Sequence, residues 1–268
     1  MKHVLSVQDL SCLGKCSLTV ALPVLSAMGC ACTVLPTAVL STHTAFPAPH
    51  CRSLTEDMLP AARHWKSVGA SFDAISVGYL ADPRQAEAVE QILSEFDAAT
   101  VIDPVMGDHG KLYSRLTPEH VQAMAALCRR GDYLLPNVTE AALLTGLPYR
   151  EQPDEGYLRE LTAGMLEFGA KAVVITGFLW DSETTGFAGV HRQTGEFSYR
   201  AHRIPKSFQG TGDLFSAVFT GSLARGNSVY GSACLAAGFV ERVAAGTEES
   251  SPFGVEFEPQ LPWLWDQL

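Results

Sequence analysis

The strongest constraint on this chain is an alternation. Short apolar runs of strand length and longer runs of helical spacing follow one another at least five times along the 268 residues. Residues 4–7 begin it as a strand, and residues 17–28 and 30–36 continue as a buried helix and a buried strand. Residues 55–68 are helical by composition, and residues 73–80 form the next strand. Asp82-Pro83 then opens a helix to residue 96, with Asp82 as cap and Val89, Ile92, Leu93 and Phe96 as its apolar stripe. Strand 100–103, a helix capped by Thr117-Pro118, strand 133–135, helices 137–146 and 154–168 and strand 172–176 repeat the pattern. Strands joined by crossover helices lie parallel, with helices on both faces. The expected fold is therefore α/β, a three-layer α-β-α sandwich around a mostly parallel sheet. The rhythm changes once. Residues 186–190 and 196–202 flank Gln193-Thr194-Gly195 and read as an antiparallel hairpin near one edge. Helices 212–225 and 229–246 follow, then a tail, 252–268, that reads as a C-terminal cover. No repeat, low-complexity run or linker interrupts the chain, so residues 1–268 are expected to form one domain.

The chemistry concentrates in residues 206–219. Gly210, Thr211 and Gly212 precede an apolar run of helical spacing, Leu214, Phe215, Ala217 and Val218. Two glycines around a threonine allow a tight turn whose N–H groups point one way, and the helix behind adds its positive end. That is a cradle for an anion such as phosphate. Asp213 is the odd member, because a carboxylate repels phosphate unless it has another task, such as taking a proton from an attacking hydroxyl. The competing reading is a plain helix start with a favourable first-turn carboxylate.

Other oxygen-bearing residues follow strands: Asp103 with Asp108, and Asn137 with Glu140. In a parallel sheet all of them converge with Asp213 on the C-terminal edge, where such sheets bind ligands. Asp108, Asn137 and Glu140 could hold a hydrated Mg²⁺, a hard ion that keeps its waters. The competing reading makes Asn137 a helix cap, Glu140 its capping-box partner, and Asp103 before Pro104 a turn former. Residues 107–114, rich in glycine and polar side chains, read as a mobile loop. Ser6 ends the first strand, and Ser41, Thr42, His43 and Thr44 form a polar, uncharged wall or a capped turn.

Composition excludes other classes. The net charge of −10 and the lack of a basic cluster argue against nucleic-acid binding. Seven cysteines without a CxxC pair suggest reduced thiols in a cytoplasmic protein. From Cys16 to Cys51 there is no Lys, Arg, Asp or Glu, but Pro23, Gly29 and Pro36 break the run, so a membrane span is not expected. No signal peptide is visible. No GxxxxGK[ST], strand-linked GxGxxG or HExxH sequence occurs.

Taken together, these residues resemble the ribokinase-like superfamily, and within it the pyridoxal kinase branch. Gly210-Thr211-Gly212-Asp213 is similar to the superfamily's C-terminal signature, and Asp103-Pro104-Val105-Met106-Gly107-Asp108 and Asn137-x-x-Glu140 to its central motifs. The opening Val4-Leu5-Ser6-Val7-Gln8, Ser41-Thr42-His43-Thr44 and Gly78-Tyr79 resemble the branch. The resemblance implies ATP-dependent phosphorylation of the 5′-hydroxymethyl group of a vitamin B6 vitamer. It implies Asp213 as base and Gly210, Thr211 and Gly212 as anion hole. Asp103, Asp108, Asn137, Glu140 and Thr176 would serve Mg-ATP, the ion being held by Asp108 and Glu140 through water. Ser6, Thr44 and Tyr79 would line the pyridine pocket, and the 107–114 loop would close over the phosphates. It further implies a homodimer and a monovalent cation such as K⁺. The chain departs from the branch after Gln8, where Asp9, Leu10, Lys15-Cys16 and Ser17 replace a usual Ser-His and Gly-Asn pair. The alternatives are a hydroxymethylpyrimidine kinase of thiamine synthesis, whose members usually carry Cys where Asp213 stands, and a non-catalytic binder of vitamer or nucleotide.

Overall fold

The structure, a computed structural model, describes residues 1–205, 208–248 and 251–267. Lys206 and Ser207, the first residues of the glycine-bearing stretch, and Leu268 of the tail lie outside the described residues. In chain order the elements are β1 (Lys2–Leu13), α1 (Leu18–Ala27), β2 (Cys30–Thr42), β3 (Cys51–Ser53), α2 (Thr55–Ser67), β4 (Ala74–Val77), α3 (Arg84–Glu95), β5 (Ala99–Ile102), β6 (Gly107–Asp108) and β7 (Lys111–Leu112). They continue with α4 (Pro118–Cys128), β8 (Tyr133–Leu134), α5 (Val138–Thr145), α6 (Glu155–Leu166), β9 (Ala172–Leu179), β10 (Thr184–His191), β11 (Gly195–His202), α7 (Thr211–Ala224), α8 (Val229–Gly246) and α9 (Leu261–Trp265).

Nine strands form one sheet in the order β11-β10-β9-β8-β5-β4-β1-β2-β3. The six from β9 to β2 run parallel, and β10, β11 and β3 are antiparallel. Alternation within single strands divides the core. Leu5 and Val7 of β1, with Val173 and Ile175 of β9, face the layer of α2 to α6. Val4, Ala172 and Val174 face α1, α7 and α8. The long uncharged run is buried helix and strand, as its prolines suggest, and among the described residues no helix is long and apolar enough to cross a membrane. The tail covers α8, with Leu264 buried and Trp263 stacked on Phe239.

Several elements differ from the sequence reading. β1 does not stop at Val7 but runs to Leu13 beside β2. β2 likewise runs past residue 36 to Thr42, where the short edge strand β3 pairs with it. The 107–114 segment is not an open loop: β6 and β7 close a two-residue hairpin, with His109 (φ 49) and Gly110 (φ 74) both left-handed.

Candidate active site

A cavity of about 560 Å³ opens along the C-terminal edge of the parallel strands. Each strand delivers one corner as it ends. Tyr79 follows β4, Asp103 follows β5, Asn137 follows β8, and Thr176 sits in β9, bridged to Asn137. The N-terminal turn of α7 closes the opposite side.

At that turn Gly210 has φ 88, and a Cβ there would lie 2.1 Å from the Lys15 carbonyl oxygen. Only glycine permits both the left-handed backbone and this approach. Leu214 N donates to the Gly210 carbonyl at 2.9 Å, so α7 begins with its first N–H groups free to face the cavity. Asp213 is partly exposed at the third position of the helix. Withdrawal from water raises its carboxyl from the usual range to about 6; the Ser17 backbone N–H opposes that rise and nearby Asp9 adds to it. A carboxylate so tuned is ionised at neutral pH yet basic enough to take a proton.

The Asn137–Glu140 start of α5 is built differently. Asn137 Oδ1 accepts from Glu140 N at 2.9 Å, and Glu140 Oε2 accepts from Asn137 N at 2.8 Å, a reciprocal capping box. Glu140 Oε1 also accepts from Met106 N at 3.0 Å, and Asn137 Nδ2 donates to the Gly107 carbonyl at 2.8 Å. Gly110 N donates to Thr139 Oγ1 at 3.0 Å. The β6–β7 hairpin is therefore tied at three points to the first turn of α5. Glu140 is buried, and burial lifts its carboxyl to about 8 despite the backbone N–H groups of Asn137, Met106 and Gly107. Asp103 is raised as well, by burial first and then by Glu140 and Asp213, while the Ser216 hydroxyl opposes the rise. Asp108 is exposed, with one oxygen on His109 N.

The cavity wall contains Asp103, Asp108, Asn137, Glu140, Thr176, Gly210, Thr211, Gly212, Asp213, Thr44 and Tyr79. Tyr79 is 5% exposed, and its hydroxyl has no partner among the described residues, a buried donor aimed where a ligand would sit. Ser6 is the exception. It is fully buried in mid-strand, accepts from Gln8 Nε2 at 2.9 Å and does not reach the cavity. The reason is the length of β1, which carries the chain beyond Ser6 and presents Asp9 and Ser11 instead. His43 joins the wall as the sequence reading allowed, while Asp9, Ser11 and Ser17 are wall residues to which that reading gave no role. The polar spacing of Gln8, Asp9 and Ser11 was the signal that β1 continues. Among the described residues no group of three or more His, Cys, Asp or Glu side chains could hold a metal ion directly.

The sequence matches the phosphomethylpyrimidine kinase family over residues 21–258. The pyridoxine/pyridoxal/pyridoxamine kinase of Bordetella bronchiseptica is 29% identical over 242 residues, covering 84% of this chain and 82% of that one. The crystal structure of pyridoxal kinase from Lactobacillus plantarum superposes with a TM-score of 0.91 at 31% identity, covering 100% of this chain and 98% of the other. A candidate phosphomethylpyrimidine kinase from Bacteroides thetaiotaomicron, in a crystal form with pyridoxal, superposes with a TM-score of 0.93 at 35% identity, covering 98% and 95%.

Proposed function

The chain belongs to the phosphomethylpyrimidine kinase family, and we propose that it phosphorylates the 5′-hydroxymethyl group of a vitamin B6 vitamer with ATP. The observation that carries this reading is Asp213, a partly open carboxylate lifted to about 6 beside a glycine turn at a helix N-terminus. Asp213 takes the proton of the acceptor hydroxyl. The N–H groups of Gly210, Thr211 and Gly212 hold the phosphoryl group as charge moves onto it. Tyr79 and Thr44 line the vitamer's side of the cavity, and Thr176 and Asn137 the nucleotide's side. The relatives support the acceptor: the Lactobacillus plantarum and Bordetella proteins are pyridoxal-type kinases, and the Bacteroides protein was crystallised with pyridoxal.

Glu140 and Asp213 raise the proton affinity of Asp103 in a cleft of oxygen donors, an arrangement that fits a hard divalent cation keeping its own waters. Asp108 and Glu140 would hold such a Mg²⁺ through water, and the ion would supply charge neutralisation for the nucleotide phosphates. A monovalent cation such as K⁺, a homodimer, a single domain over residues 1–268 and a cytoplasmic site of action complete the reading.

The family's name favours a second reading, a hydroxymethylpyrimidine acceptor. ADP release measured with pyridoxal, pyridoxine, pyridoxamine and hydroxymethylpyrimidine separates the two. We expect at least one vitamer to exceed the pyrimidine in kcat/KM by about tenfold or more. The reverse order moves the chain to thiamine chemistry. Tight vitamer binding without turnover makes it a binder.

A further inference from the structure

We infer that Asp9 is a positioning residue that holds Ser17 in a strained backbone conformation, and with it the 14–17 turn that packs against the Gly210 turn. The inference rests on the reading of the 210–212 turn as anion hole.

Ser17, the residue before α1, has φ 52 and ψ −126. That is the first central position of a type II′ turn, a place for glycine. A non-glycine side chain persists there only when its surroundings over-determine it, and such outliers gather at functional sites. The surroundings here are specific. Ser17 Oγ donates to Asp9 Oδ1 at 2.5 Å, and Ser11 Oγ donates to Asp9 Oδ2 at 2.9 Å. Asp9 is 4% exposed, and none of the ion pairs among the described residues includes it. A buried carboxylate held only by two hydroxyls is a costly anchor, so its retention asks for a return.

Asp9 is itself placed by an irregularity. The β1–β2 ladder shifts register between Gln8 and Leu10, leaving Asp9 without an opposite residue. Such shifts re-aim side chains beside active sites. The far side of the turn is fixed too. Lys15 N donates to the Phe253 carbonyl at 2.7 Å, and the Lys15 carbonyl packs against Gly210. The 14–17 turn is thus clamped between Asp9 and the anion-hole turn. Through that clamp the backbone of the turn supports the anion hole, while the Ser17 hydroxyl serves only to hold that backbone.

This separation makes a sharp test possible. Steady-state kinetics on the full chain would compare Ser17→Ala, Ser17→Gly, Asp9→Asn and the double variant Asp9→Asn/Ser17→Gly, with thermal melts alongside. Alanine removes the tether but cannot hold φ 52 unaided, so kcat should fall about tenfold with both KM values within about threefold. Glycine adopts the same backbone without a tether, so Ser17→Gly should recover kcat to within about threefold of the parent. Asp9→Asn should cost about tenfold in kcat in the serine background and little in the glycine background, a coupling read by the double-mutant cycle. Equal losses for Ala and Gly would overturn the inference, because a hydroxyl acting directly is lost in both. So would an equal cost of Asp9→Asn in both backgrounds, or a loss confined to the vitamer KM. Should the Ala variant not fold, the glycine pair still decides the matter. Failure of the functional reading looks different: the parent chain itself then phosphorylates no vitamer.

Discussion

Two helix starts face the same cavity and read alike in the sequence, each with a carboxylate at its third position. At α5, Glu140 is buried and both its oxygens accept backbone N–H groups. At α7, Asp213 is partly exposed. The first is a fastener that binds the β6–β7 hairpin to α5. The second keeps lone pairs free for a substrate hydroxyl. The competing capping-box reading of Asn137 and Glu140 thus holds as geometry, while Asp213 makes no side-chain cap of its helix. Burial and hydrogen-bond accounting separate a tie from a base where residue type cannot.

Substitutions at the two starts should therefore fail in different ways. Asp213→Asn should lower kcat by about 10³-fold while leaving ATP affinity and melting temperature nearly unchanged. Isothermal titration with ATP and a thermal melt beside the kinetics check this, and a kcat within threefold of the parent would remove Asp213 as base. Glu140→Ala should fail first in stability. It leaves the N–H groups of Asn137 and Met106 without their acceptor and should cost about 3 kcal/mol in urea unfolding. A stability equal to that of Asp213→Asn would erase the contrast. Gly210→Ala forces a Cβ against the Lys15 carbonyl and should cost about 2 kcal/mol, with a loss of turnover as the anion-hole turn shifts. Asn137→Ala removes one cap and should cost about 1 kcal/mol, with faster amide exchange in the first turn of α5.

Much of this was legible in the sequence because local signals agreed with the fold. Helix 229–246 and the 193–195 hairpin turn read correctly, as Ser228 caps the one and Gly195 takes the left-handed turn of the other. Convergence on the sheet's C-terminal edge followed from parallel topology alone, and it brought Asp103, Asn137 and Asp213 together. The misread length of β1 has a physical cause. Polar residues beyond Val7 read as the end of a strand, because alternation normally separates core from water. Here Asp9 and Ser11 turn toward a cavity within the protein, so the strand continues while its pattern suggests a loop. Ser6 was consequently placed one step too close to the ligand. The β6–β7 hairpin was hidden because His109 takes a positive φ that its residue type seldom advertises.

The pH dependence of kcat under saturating substrates tests the central contrast most directly. Asp213 must be ionised to accept a proton, so activity is full above its pKa and lost as pH falls through it. The account predicts a single acid limb near pH 6, with log kcat falling about one unit per pH unit below it. A limb near pH 8, the range of Glu140, would make the fastener the base and contradict the account.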